Sequence, residues 1–147
     1  MIDQSQISGV LVNSLKIIET NGGDVLHAMK NEDLGYSGYG EAYFSTIEPG
    51  VIKGWKRHKK MFLNLIVPSG AIRFVVYDDR SDSITNGKFM DLVLSRQKYK
   101  RLTVPPMVWM AFQGSGNNQS MLLNIASIPH DPNEADQKSL DEINFSW

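Results

Sequence analysis

The sequence predicts an all-β fold, a β-sandwich or jelly-roll barrel, and three features predict it. About eight to ten short stretches rich in Val, Ile, Phe and Tyr recur at roughly 8–12-residue spacing. Turn-forming Gly, Pro, Asn and Asp punctuate them. Outside about the last twenty residues, no apolar period of 3.6 persists for more than a turn or two. With 147 residues, 41% of them hydrophobic, the chain suits one domain spanning residues 1–147 and able to bury a core.

Each element has its own justification. Residues 7–18 (ISGVLVNSLKII) read as strand, closed by the Gly22-Gly23 break. Residues 25–29 (VLHAM) fit either a strand or one helical turn. Asn31-Glu32-Asp33 with Gly35, Gly38 and Gly40 form a loop, because glycines this close together defeat both regular periods. Residues 41–47 (EAYFSTI) alternate, with Glu41, Tyr43 and Ser45 on one face and Ala42, Phe44 and Thr46 on the other. Pro49-Gly50 is a turn, residues 51–55 a short strand, and residues 61–67 (MFLNLIV) a strand ended by Pro68-Ser69-Gly70. Residues 71–77 (AIRFVVY) run into Asp78-Asp79-Arg80. Neighbouring carboxylates in a strand point to opposite faces, so this pair closes a turn with Arg80 rather than sharing a proton. Strands follow at 88–94, 101–104, 108–112 and 120–128, with Gly114-Ser115-Gly116-Asn117-Asn118 as a hairpin loop. After Pro129 the chain turns acidic and polar, as a surface loop or short helix before Phe145 and Trp147.

Composition excludes several function classes. Fifteen Lys and Arg against sixteen Asp and Glu give a net charge of −1, so no global field draws the protein to nucleic acid or to an anionic membrane. The absence of cysteine removes disulfides, thiolate zinc sites and cysteine nucleophiles. Met1-Ile2-Asp3-Gln4 shows no basic segment leading into an apolar one, and no window approaches the roughly 18 apolar residues of a membrane span. A cytoplasmic protein is expected. Gly114-Ser115-Gly116 lacks the helix that follows a nucleophile elbow, and the Gly35 to Gly40 stretch lacks a βαβ frame for a dinucleotide.

Two features point to a site. In Lys53-Gly54-Trp55-Lys56-Arg57-His58-Lys59-Lys60, five of eight residues are Lys or Arg, one third of the chain's fifteen cations. Such a run is either a solvated hairpin tip or an anion site with a ring to stack on. Asn64 between Leu63 and Leu65, and Asn124 between Leu123 and Ile125, place amides inside apolar strands. A buried amide without partners costs roughly 1–3 kcal/mol, so each either faces a polar pocket or makes ordinary core hydrogen bonds.

Three segments together, Gly50-Val51-Ile52-Lys53-Gly54-Trp55-Lys56, Gly70 with the strand to Tyr77-Asp78-Asp79-Arg80-Ser81, and Val104-Pro105-Pro106 through Phe112, resemble the dTDP-4-dehydrorhamnose 3,5-epimerase family of cupin-fold sugar-nucleotide enzymes. The resemblance runs from about Gly40 to Trp147, and Gly40-Glu41-Ala42-Tyr43-Phe44-Ser45 marks a shorter, divergent branch. It implies a homodimeric jelly roll that binds a dTDP-4-keto-hexose, removes protons beside the ketone and returns them on the opposite face, in surface polysaccharide biosynthesis. That chemistry needs a base, an acid and a cation near the enolate.

The family motif Gly-Val-Leu-Arg-Gly-Leu-His implies that Lys53 replaces the phosphate-binding Arg and Lys56 the catalytic His. Lys53 and His58 are then expected near the diphosphate, with Lys56 as base. Glu41 and Tyr43 polarise or protonate the sugar, and Asn64, Trp109 and Asn124 complete the substrate site. Three further positions depart from the family: Asn64 near its enolate-stabilising lysine, Met110 near a second pocket histidine, and Leu123 at its tyrosine acid. Cupin-type metal sites use a His-x-His pair, and Lys56-Arg57-His58 offers one imidazole, so neither metal nor cofactor is expected. The alternative is a nucleotide-sugar-binding cupin that has lost the catalytic His and Tyr. A third reading is a basic interaction surface with no pocket.

Overall fold

The computed structural model describes residues 6–147; the first four residues, read above for targeting signals, lie outside them. Twelve strands follow in order: β1 (Leu11–Ser14), β2 (Ile17–Ile18), β3 (Val25–Leu26), β4 (Glu41–Ile47), β5 (Ile52–His58), β6 (Leu63–Ser69), β7 (Ala71–Tyr77), β8 (Phe89–Ser95), β9 (Lys100–Val104), β10 (Trp109–Gly114), β11 (Ser120–Ala126) and β12 (Ala135–Gln137), then one 3₁₀ turn, Leu140–Glu142. One sheet runs β1-β9-β6-β11-β4, the other β12-β5-β10-β7-β8, and β2 and β3 make a separate ribbon. Every strand pair is antiparallel, and the two sheets face each other as a jelly roll.

Strand alternation builds three layers of side chains. Between the sheets, Leu63, Leu65 and Val67 of β6 meet Ile72, Phe74 and Val76 of β7 with Met90, Leu94 and Leu122, all buried. On the outer face of the second sheet, Trp55, Val75, Trp109 and Ala111 pack with Ile143, Phe145 and Trp147 from the C-terminal segment. Rings continue this layer: Tyr77 stacks on Phe89 at 4.4 Å, and Phe145 meets Phe89 at 5.3 Å and Trp147 at 5.1 Å. The outer face of the first sheet is covered by the loop between β3 and β4. Arg101 donates to the carbonyls of Ala28 (2.8 Å) and Leu34 (3.1 Å), and Tyr99 donates to that of His27 (2.8 Å).

β4 and β7 occupy the residues their sequence patterns indicate. Three elements differ. The first strand begins only at Leu11, because Ile7 and Val10 close a turn (Val10 N–H to Ile7 C=O, 3.0 Å) that plugs one end of the core. β5 continues past Trp55 to His58, since its basic residues find partners on both sides of the sheet. β12 is an added edge strand, where a surface loop or helix was expected, and pairs Ala135 with His58. Gly70 turns β6 into β7 at φ +82°, where an added Cβ would run into Ser120.

Candidate functional site

A cavity of about 250 Å³ opens between the sheets on the side where β4 and β5 approach each other. One wall comes from the first sheet through Tyr43, Ser45 and Asn124, the other from β5 and β10 through Lys53, Lys56, His58, Met110 and Phe112. The two walls are thus chemically different: hydroxyls and an amide face cations, an imidazole and apolar side chains.

A bulge in β5 makes the cationic wall possible. Lys53 pairs with Phe112 and Lys56 with Met110, so Gly54 and Trp55 together stand opposite Ala111 alone. Residues three apart on a regular strand face opposite ways, and the extra residue turns both lysines to the same side. Trp55 goes outward and is buried in the aromatic layer. Lys53 Nζ donates to the Thr46 carbonyl at 3.3 Å, bridging to β4, and lies 6.0 Å from the Phe112 ring centre.

Tyr43 and Asn124 are cross-strand partners on the opposite wall. Asn124 Nδ2 donates to Ser45 Oγ at 2.9 Å and more weakly to the Tyr43 carbonyl at 3.4 Å, which fixes the amide against β4. Partial burial, followed by the nearby negative charge of Glu41, raises the Tyr43 phenol above its ordinary value, so it remains a proton donor at neutral pH. Glu41 shares the face of Tyr43 and Ser45 but sits at the start of β4, beyond the cavity lining.

His58 closes the inner end. Its Nδ1 lies 2.7 Å from Glu134 Oε1, while Glu134 Oε2 accepts the backbone N–H groups of Lys60 (2.9 Å) and Met61 (2.8 Å). Glu134 is 5% exposed. Burial alone would raise its pKa, but the His58 contact and the two amides outweigh that and hold it below the usual glutamate range. The turn that aims it is built from Asp131-Pro132-Asn133, with Glu134 N–H on the Asp131 carbonyl at 3.1 Å.

The structure therefore brings Lys53, Lys56, His58, Tyr43 and Asn124 together with Ser45, Met110 and Phe112, and leaves Glu41, Asn64, Trp109 and Leu123 outside the lining. Asn64, 4% exposed, faces away from the cavity. It donates to Gly35 C=O at 3.0 Å and accepts from Thr103 Oγ1 at 2.6 Å, which is the core hydrogen-bond reading rather than a ligand contact. Trp109, 1% exposed, belongs to the outer layer. There its Nε1 donates to Asp79 Oδ2 at 2.9 Å, with Arg57 at 4.6 Å and Lys138 at 4.9 Å over the ring. Leu123 pairs with Ile66 and Phe44 on the outer face of the first sheet, one residue out of phase with Asn124. Glu134 was expected only as part of an acidic surface stretch, and the structure buries it instead. The signal for it was the Asp-Pro-Asn turn, which frees the next residue from the alternation of β12.

Among the described residues, no group of three or more His, Asp or Glu side chains converges to hold a metal ion. No helix of the described residues is long and apolar enough to cross a membrane.

A jelly-roll sandwich with a polar hollow opening between its sheets defines a domain of the cupin type. The chain belongs to the dTDP-4-dehydrorhamnose 3,5-epimerase-like family of sugar-nucleotide enzymes. It is similar to a dTDP sugar isomerase from Desulfovibrio desulfuricans, with 36% identity over 96% of this chain and 92% of that one, at a TM-score of 0.92. It is 29% identical over 100 residues to the probable low-salt glycan biosynthesis epimerase Agl13 of Haloferax volcanii, covering 67% of this chain and 64% of that protein's length. It is also 25% identical to the spore coat polysaccharide biosynthesis protein SpsL of Bacillus subtilis, over 96% of both. A dTDP-4-dehydrorhamnose 3,5-epimerase from Sulfolobus tokodaii shares the fold at 23% identity, with a TM-score of 0.82 over 94% of this chain and 81% of that one. No family model matches the chain.

Proposed function

We propose that the protein is a sugar-nucleotide epimerase or isomerase that acts on a dTDP-4-keto-hexose in surface polysaccharide biosynthesis. The observation that carries this is the β5 bulge, which turns Lys53 and Lys56 into one hollow opposite the Tyr43 hydroxyl. Lys53, at the outer end and bridged to β4, binds the diphosphate. Lys56 lies one step further in, beside the reacting carbon, where its side chain either stabilises an enolate or takes the proton. Tyr43, held protonated, returns a proton from the other wall, and Ser45 and Asn124 orient the sugar. Glu41 contributes through its charge on Tyr43. The chemistry needs no metal or cofactor, and the family resemblance supports a homodimer acting in the cytoplasm.

The test is incubation of the protein with dTDP-4-keto-6-deoxyglucose in D₂O. Deuterium entering the carbons beside the ketone supports the proposal, and dTDP binding without exchange overturns the catalytic part. That second outcome is the binding-protein reading, and one observation favours it: the family's base and second pocket-histidine positions hold Lys56 and Met110.

A further inference from the structure

The tripeptide Thr-Asn-Gly occurs twice, at residues 20–22 in the tip of the β2–β3 ribbon and at residues 85–87 before β8. We infer that Asn21 is a modification site, where the side-chain amide is lost spontaneously through a succinimide, and that the fold protects Asn86 from the same reaction. The residue after the asparagine carries the chemistry. Its backbone nitrogen gives up a proton to hydroxide and attacks the asparagine Cγ, and a glycine there has no Cβ to obstruct the approach. The new C–N bond closes the succinimide ring, the side-chain nitrogen leaves as ammonia with a proton from solvent, and water then opens either ring carbonyl. The product is aspartate, or isoaspartate with the chain running through the former side chain. Either one adds a negative charge.

At the first copy both reacting groups are free. The turn closes without them: Gly23 N–H donates to the Thr20 carbonyl at 3.3 Å, and the Thr20 hydroxyl donates to the Gly23 carbonyl. Gly22 N–H and the Asn21 amide make no hydrogen bond among the described residues. The ribbon is tied to the body on either side of the turn, through Leu15 N–H on the Tyr99 carbonyl (3.0 Å) and Arg96 on Asp24 Oδ2 (2.6 Å), and not at Asn21 or Gly22. Residues 20–25 are exposed, and a Cβ built on Gly22 would meet nothing within 4 Å. Neither ring closure nor the arrival of water meets an obstacle there.

The second copy holds the same atoms fast. Gly87 N–H donates to the Asp78 carbonyl at 2.7 Å, and Asn86 Nδ2 donates to the Arg80 carbonyl at 2.9 Å. Asn86 N–H is on the Ser83 carbonyl at 3.1 Å, and Lys88 N–H on that of Thr85 at 3.0 Å. The Thr85 hydroxyl in turn donates at 2.6 Å to the buried Asp78 carboxylate, which anchors the whole turn. Attack there requires Gly87 to leave its acceptor and the Asn86 amide to swing away from Arg80. Exposure and backbone angle do not separate the copies, since Asn86 and Gly87 are also exposed and the two glycines have φ of +84° and +85°. The hydrogen bonds do. Two ordinary ones that must open first slow the reaction roughly tenfold or more.

The experiment incubates the whole protein in mildly alkaline buffer, folded and in urea, and follows Asn21 and Asn86 by peptide mass spectrometry, with isoaspartate read by enzymatic methylation. In the folded protein, conversion at Asn21 should run about tenfold or more faster than at Asn86. In urea Asn86 should accelerate to near the Asn21 rate, because the tripeptide is the same. Equal rates in the folded protein overturn the inference, as does an Asn21 that converts only after urea has unfolded the chain. An Asn86 that stays slow in urea overturns protection by the fold and assigns the difference to neighbouring sequence. The turn lies outside the cavity lining, so none of these results bears on the enzyme reading.

Discussion

Replacing the four lysines of the basic run one at a time separates a built anion site from a charged surface. Lys53 and Lys56 line the cavity, whereas Lys59 and Lys60 lie beyond the end of β5 and are exposed, with Lys59 Nζ 3.7 Å from Asp136. A direct charge-assisted contact contributes about 1.5–3 kcal/mol, so Lys53→Ala should weaken dTDP binding roughly ten- to 150-fold, and Lys56→Ala should weaken a dTDP-sugar more than dTDP. Lys60 is four residues from Lys56, about 13 Å along an extended chain. At that separation in water the unscreened interaction is about 0.3 kcal/mol per charge pair. The Debye length of about 8 Å at 0.15 M salt cuts it several-fold further. Lys59→Ala and Lys60→Ala should therefore change the dissociation constant by less than about twofold at that ionic strength. Isothermal titration of dTDP into the four variants reads this directly. Equal losses in all four, vanishing together as salt rises, would mean that the run attracts anions as a surface and that the hollow binds nothing.

Other expectations follow from where the structure puts side chains. Asn64→Ala leaves Gly35 C=O and the Thr103 hydroxyl without their partner and should cost about 1–3 kcal/mol of stability by chemical denaturation; dTDP affinity should stay unchanged, and a tenfold loss would put Asn64 in the site. Trp109→Phe removes the donor to Asp79 and should cost about 1 kcal/mol in the same assay, again with unchanged affinity. Asp78 accepts from Arg80 (backbone N–H, Nε and one terminal nitrogen), Ser83 and Thr85. Asp78→Asn breaks that buried pair and should cost about 3–5 kcal/mol, a melting-temperature drop of roughly 6–20 °C. Burial would raise the Asp78 pKa, yet these donors outweigh it and hold the folded value well below the carboxylate range. Its stabilisation is therefore complete above the unfolded value of about 3.9 and is lost as pH falls below that. The wild type should lose melting temperature between pH 4 and 2 more steeply than Asp78→Asn, and parallel curves would contradict the assignment.

What the sequence made legible was whatever alternation and turn chemistry control. Residues 41–47 border a solvent-facing edge, so their period of two correctly put Tyr43 and Ser45 on one face, and that face lines the cavity. The Asp78-Asp79-Arg80 turn was legible because its chemistry is local. Asn64 and Trp109 were harder for a common reason: both sit in central strands covered on both faces, so an apolar neighbourhood says nothing about which way a residue points. The loop between β3 and β4 that satisfies Asn64 reaches it from 29 residues away. Glu134 stood in a stretch whose acidity suggests solvent, and alternation from Asp136 would have sent it to the outer face with Arg57. Only the Asp131-Pro132-Asn133 turn, which breaks that phase, brings its carboxylate to His58.

The bulge explains how the family motif can be recognisable although Lys56 stands where its histidine would be. A strand that keeps Gly54 and the extra residue keeps the phosphate-side cation at Lys53 on the cavity face, whatever occupies the following positions. Beyond the bulge the period of two returns, so Lys56 and His58 are equivalent in direction and differ only in depth. His58 is fixed on its Nδ1 side by a second element, because β12 with its leading turn brings the Glu134 carboxylate to it.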